Sequence, residues 1–340
     1  MRQATIYLML MVFILSSCFK EDEKITPHDP GDVSEAEVAM TQNYSEQVYF
    51  DLSSGMSISS NKKDIYDMAF ENGDEGWHVL LNTASFMYAA GTGTDDFNAP
   101  IDTTGYDWRF DKSDGNLDST AIGQYFSFNI SDSTKIYTNE VYVLNRGYDV
   151  AANLRGLKKV VILEVNDSSY TVRFANIDGT DEHTSVILKD DEVSLAYFSF
   201  DNAGQQIYPE PLPSEYDLLF TQYTTLLYTT EGEPYPYLLT GVLINRQFVH
   251  TVRDTLLDFS EITYESTTGM DFTTQLDNVG YDWKYLEGDV TGGGALVYKI
   301  VEGLNYIIRD TDGYIYKLRF TSFYNQAGEK GYPNFEFQRL

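Results

Sequence analysis

Four short motifs occur twice along this 340-residue chain, in the same order. Val48-Tyr-Phe-Asp-Leu-Ser-Ser-Gly55 alternates and stops at glycine, and Ala196-Tyr-Phe-Ser-Phe-Asp-Asn-Ala-Gly204 does the same. Ile65-Tyr-Asp-Met-Ala-Phe70 is matched by Glu215-Tyr-Asp-Leu-Leu-Phe220. Gly105-Tyr-Asp-Trp108 is matched by Gly280-Tyr-Asp-Trp283, and Tyr170-Thr-Val-Arg-Phe174 by Tyr316-Lys-Leu-Arg-Phe320. The paired motifs are 148, 150, 175 and 146 residues apart. A period this long is a domain duplication and not a solenoid. It predicts two related β modules, at residues 44–190 and 192–340. The joint, Lys189-Asp-Asp-Glu-Val193, is short enough to imply a defined interface between them.

Inside the modules the apolar period is two, the signature of half-buried strands. Lys158 to Val165 and Tyr170 to Ala175 read as a hairpin. So do Asn305 to Arg309 and Tyr314 to Phe320, where Asp312-Gly313 supplies the positive φ of a tight turn. Helical signal is sparse. With 27 Tyr and 20 Phe, the composition favours rings packed across strands. The expected fold is all-β, largely antiparallel, with few short helices. Trp108 and Trp283 read as core plugs, with Asp107 and Asp282 tying turns. The net charge of −29 would repel nucleic acid and anionic lipid, which excludes nucleic-acid binding.

The N-terminus carries a different signal. A basic start precedes an apolar run from Ile6 to Leu15, too short to span a bilayer but suited to a signal peptide. Leu15-Ser16-Ser17-Cys18 then resembles the lipobox of bacterial lipoproteins. Residues 1–17 are expected to be the lipoprotein signal peptide, and Cys18, the chain's one cysteine, the lipidated residue. Lipid chains on Cys18 would hold the protein at a membrane. Residues 18–43 read as a flexible acidic tether.

The motifs resemble the HmuY family, surface lipoproteins of Bacteroides-type bacteria whose best-known members capture haem. The strongest match runs from Asn305 to Phe337. The openings at 48–70 and 196–220 match the family's first hairpins, with Tyr66 and Tyr216 where a Trp commonly stands. The resemblance implies an outer-membrane, lipid-anchored protein at the cell surface. It also implies a place beside a TonB-dependent receptor, handing over haem for iron supply.

Haem held between two axial ligands needs His nitrogen or Met sulfur on either side of a flat apolar slot. In haem-binding relatives the ligands come from loops before the C-terminal hairpin. The corresponding stretch here, 284–297, holds neither His nor Met. His250 and Met270 are the second module's best pair of donors, and His78 and Met87 the first module's. Each also has a plain structural reading, as a strand histidine or a core methionine. His28 sits in the tether and His183 in an acidic turn. No nucleophile elbow and no His-Glu-x-x-His motif occurs. The acidic pairs lack the spacing of a calcium loop. The alternative to haem is a non-catalytic recognition lipoprotein of the same fold, binding a glycan or a partner transporter.

Overall fold

The computed structural model describes residues 30–288 and 295–340. The expected signal peptide, Cys18, His28 and residues 18–29 of the expected tether lie outside the described residues, as do residues 289–294 of the 284–297 stretch. The rest of the 18–43 span is not a free tether: Ser34–Glu37 pair with Asn334–Phe337, and Val38 and Met40 are fully buried because their apolar side chains complete a core. The described residues form 22 strands and six short 3-10 turns. Every strand ladder is antiparallel.

The strands divide into two sets with the same order of use. The first set is β1 (Ser34–Glu37), β2 (Glu46–Asp51), β3 (Met56–Lys62), β4 (Met68–Glu71), β5 (Val79–Leu81), β6 (Tyr88–Gly91), β7 (Phe126–Phe128), β8 (Lys135–Tyr137), β9 (Tyr142–Asn145), β10 (Leu157–Val165) and β11 (Ser169–Asn176). The second is β12 (His183–Leu188), β13 (Leu195–Ser199), β14 (Gln205–Ile207), β15 (Leu218–Tyr228), β16 (Pro234–Ile244), β17 (His250–Asp254), β18 (Lys284–Glu287), β19 (Val297–Ile300), β20 (Asn305–Arg309), β21 (Ile315–Tyr324) and β22 (Lys330–Arg339). The sheet β12-β11-β10-β9-β6 has its counterpart in β1-β22-β21-β20-β17, and β14-β13-β4-β5 in β3-β2-β15-β16. The short hairpins β7–β8 and β18–β19 also correspond.

These pairings cross between the repeats. The first repeat gives β1 to β22 and β2 to β15. The second gives β12 to β11 and β13 to β4. Each repeat therefore completes its partner's sheets with its own opening strands. The two main cores follow the exchange. One joins Val38, Val48 and Phe50 to residues between Leu218 and Phe337. The other joins residues between Met68 and Val172 to Ile187, Phe198 and Phe200. The spans 44–190 and 192–340 thus differ from the observed division. The repeat begins again at β12, and neither span encloses a complete core. The joint at 189–193 is fixed: Lys189 donates to the Gly73 and Gly76 carbonyls at 2.8 and 2.7 Å.

Two of the four motif pairs prove to be equivalent and two do not. Phe50 pairs with Leu218 as Phe198 pairs with Met68, so the opening strands and the Tyr-Asp motifs correspond. By contrast, Tyr170–Phe174 lies on β11 and Tyr316–Phe320 on β21, whose true counterpart is β10. The Gly-Tyr-Asp-Trp pair fails in the same way. Ala89 bridges Arg109 and its counterpart Thr251 bridges Thr273, so residues 105–108 correspond to Gly269-Met-Asp-Phe272. Trp283 is 1% exposed and stacks on Phe320 at 3.9 Å, a core plug as expected. Trp108 is only half-buried. Any central strand needs the same alternation, so runs such as Tyr170–Phe174 and Tyr316–Phe320 recur without common position. The two Gly-Tyr-Asp-Trp segments lie in turns and loops instead, each opened by a glycine at positive φ.

Candidate ligand-binding site

The exchanged hairpins bring four tyrosines to the seam between the repeats. Tyr49 meets Tyr216 edge-on at 4.9 Å, and Tyr197 meets Tyr66 at the same distance. The two pairs are equivalent in the repeat. Glu210, near their centre, accepts hydrogen bonds from the Tyr197 and Tyr216 hydroxyls. Burial pushes the Glu210 carboxyl upward, against the pull of those two hydroxyls. The seam encloses about 110 Å³ of free volume, lined by Tyr66, Tyr197, Glu210, Tyr216, Arg246 and Asp111 among others. That holds a few waters or a small polar group. A porphyrin needs a pocket of several hundred Å³, on the order of 300 or more.

Two buried aspartates, one from each Tyr-Asp motif, anchor the exchange from either side. Asp67 accepts from the Phe200 amide and Asp217 from the Leu52 amide, at 2.9 and 2.8 Å. Their own amides donate to Phe198 and Phe50. Asn82 and Asn245 cap the same turns through equivalent side-chain bonds to Tyr66 and Tyr216 carbonyls. The charges around the two aspartates differ. Arg146 grips Asp67 with two bonds of 2.9 Å. Arg155 adds an ion-pair contact of 2.9 Å to the same carboxylate, off the line of a hydrogen bond. Asp217 has the Thr311 amide at 2.9 Å instead and no ion pair among the described residues. Its carboxyl is pushed up to about 7, chiefly by burial, with Asp310 and Asp51 adding repulsion. Asp310 rises to about 6, again mainly through burial.

These shifts have a pH consequence. Asp217, Asp310 and Asp111, the last raised by burial to about 6, bind protons in the fold at pH values where the unfolded chain, near 3.9, has released them. Stability from these groups is present at low pH and is lost as pH rises through 6–7. Buried Lys284 and Lys63 act oppositely, with desolvation lowering them to about 7 and 8. Above that, the unfolded chain still holds their protons, and stability recovers with pH. The urea midpoint in metal-free buffer should therefore pass through a minimum near neutrality. A midpoint that rises steadily from about pH 5 to 7 would contradict the buried carboxylates.

The four sequence-derived donors fall in separate places. Met87 is 1% exposed inside the first-repeat core, sealed from any ligand. Met270 packs against the cluster of Ile262, Ile307 and Leu340. His78 is locked: Nδ1 lies 2.5 Å from Glu71 Oε2, the ring stacks on Trp77 at 3.8 Å, and Nε2 is buried without a hydrogen-bond partner. His250, at the start of edge strand β17, is half-buried, and its Nδ1 lies 3.1 Å from the Phe248 carbonyl. A hydrogen bond from Nδ1 to a carbonyl leaves Nε2 as the free donor, the tautomer a metal-bound histidine adopts. Arg309 stands opposite His250 in the ladder, with its guanidinium 4.4 Å over the Phe272 ring. His183 bonds Asp181 at 2.8 Å. The aspartate nodes escaped the sequence reading. The repeated Tyr-Asp was visible, but nothing in it told which aspartate would meet an arginine.

Comparison with known proteins gives the family. The HmuY protein family matches residues 43–337, and the chain belongs to it. No curated protein matches the chain. Among solved structures, the chain resembles apo PinO from Porphyromonas gingivitis at 10% identity, covering 91% of this chain and 98% of that one, with a TM-score of 0.32. It also resembles an apo HmuY analog from Tannerella forsythia at 8% identity, covering 92% and 98%, with a TM-score of 0.23.

Proposed function

Taking membership of the HmuY family as the premise, we propose that this chain is a binding protein and not an enzyme. It would be anchored through lipidated Cys18 at the outer face of the outer membrane. There it takes up haem beside a TonB-dependent receptor, for iron acquisition. The observation that supports haem is His250. Its Nδ1 is oriented by the Phe248 carbonyl, which leaves Nε2 free for iron. Arg309 beside it offers a cation to a porphyrin carboxylate. The donor set fits haem in part. One axial nitrogen is available, whereas the Met270 thioether is taken up by packing.

The test is a haemin titration followed by absorbance. Wild type is expected to give a Soret shift of the kind a single histidine ligand produces. His250→Ala should abolish the shift, and Met270→Ala should leave it. An unchanged spectrum at micromolar haemin would sink the haem reading. A second reading is favoured by the long hairpin β15–β16, which exposes Tyr228, Tyr235 and Tyr237 at 64%, 38% and 50%. Rings presented in this way suit stacking on a glycan or a partner transporter. That reading expects no haemin response, and loss of glycan or transporter binding on Tyr237→Ala.

A further inference from the structure

The repeat supplies an internal control for one buried pair of charges. Ala89 and Thr251 are equivalent by their bridges to Arg109 and Thr273. The ladders then carry the equivalence onward. Leu144 faces Ala89 as Ile308 faces Thr251, so the next residues but one, Arg146 and Asp310, occupy the same place. In the following strands Leu157 and Ile315 match, which puts Gly313 where Arg155 stands. Both arginines that neutralise Asp67 are therefore replaced around Asp217, one of them by a second carboxylate.

The surroundings do not make up the missing charge. Asp217 is 0% exposed and Asp310 2%. Asp310 Oδ1 accepts from the Tyr314 amide at 2.7 Å, but Oδ2 is buried without a hydrogen-bond partner. Asp51 adds further negative charge, its oxygens held by Ser53 and Ser54. Arg339 stacks on the Tyr314 ring at 3.5 Å and forms no ion pair among the described residues. A buried carboxylate oxygen with no partner is costly, and a proton, an ordered water or a cation can relieve it.

We propose that Asp217 and Asp310 hold a hard divalent cation of the calcium class in the place that the Arg146 guanidinium takes in the first repeat. The donors are all oxygen, which selects calcium-like ions over zinc or copper. Among the described residues no three acidic, His or Cys side chains are grouped for a metal. Water and main-chain oxygens complete the shell, an irregular arrangement that calcium tolerates better than magnesium. The site lies under the exchanged strand β2, so the ion ties the first repeat's hairpin to the second repeat's core.

The test uses the full chain, stripped of metal and held in detergent at about pH 8. Added calcium at about 1 mM is expected to raise the melting temperature by about 5 °C, with one equivalent bound in equilibrium dialysis. Asp310→Asn should fold, because it removes a buried charge, and should lose both effects. Asp310→Arg, which recreates around Asp217 the arrangement that surrounds Asp67, should melt above metal-free wild type and ignore calcium. Three results would each overturn the proposal. One is the absence of a calcium shift in wild type. Another is a calcium shift that persists in Asp310→Asn, which would place the ion elsewhere on this acidic surface. The last is a wild type stabilised only by acidification, which would mean that the pair shares a proton.

Discussion

Asp67→Asn should lower stability by about 3–5 kcal/mol, the usual cost of breaking a buried ion pair from one side. The equivalent change, Asp217→Asn, should cost far less in metal-free buffer. Asp67 is fully buried and faces two guanidinium groups, each under a tenth exposed. Neutralising it strands both. Asp201, partly exposed, is the remaining partner, 2.8 Å from Arg146 and 3.8 Å from Arg155. The amide of Phe200 also loses a charged acceptor. At Asp217 the balance reverses. The change weakens bonds to Leu52 and Thr311, worth about 1.5–3 kcal/mol each when charged. It also removes a carboxylate that burial and Asp310 hold at about 7. Urea unfolding of the two variants at about pH 8 measures the difference. Equal losses at both positions would mean that the two nodes are energetically alike, despite Arg146 and Asp310.

The contrast shows what the sequence carries and what it withholds. Strand alternation was readable because one face of each strand meets a core. The hairpins at 158–175 and 305–320 stand where period and turn residues put them. The Tyr-Asp repeat was readable because both copies do the same work, closing a turn and anchoring a hairpin. Strand neighbours were not readable. Alternation tells which face of β2 is buried, but not that its partner is β15, over 150 residues later. The same limit produced the false match of Gly-Tyr-Asp-Trp. Trp283 fills a core, while the residue equivalent to it, Tyr125, fills the other core and shares no motif with it. The donors follow the same rule. A methionine in an alternating run, such as Met87, reads as either ligand or core until its neighbours are known. Arg146 and Asp310 became informative only once the ladders had aligned them.

The exchange itself predicts how the chain behaves when cut. Two polypeptides divided in the loop between β11 and β12, at residues 177–182, should each fail to fold alone and should assemble when mixed. The first fragment would lack β12, β13 and β14, and so the Ile187, Ala196, Phe198 and Phe200 that its core buries. The second would lack β1, β2 and β3, with Val38, Met40, Val48, Phe50 and Leu52. Each of these side chains other than Ala196 contributes about 1.5–3 kcal/mol on full burial, so the losses are about 5–10 and 8–15 kcal/mol. Either is comparable to the whole stability of an ordinary domain, about 5–15 kcal/mol. Each fragment would also leave β4 or β15 with an open edge, unpaired where β13 or β2 belongs. Mixing restores both edges and both cores at once. Strand content by circular dichroism should be low for either fragment and near that of the intact chain for the pair, with the two co-purifying through a tag on one. A fragment that folds as a monomer by itself would show that its opening strands can turn back onto their own repeat, and that the crossed pairing is not required.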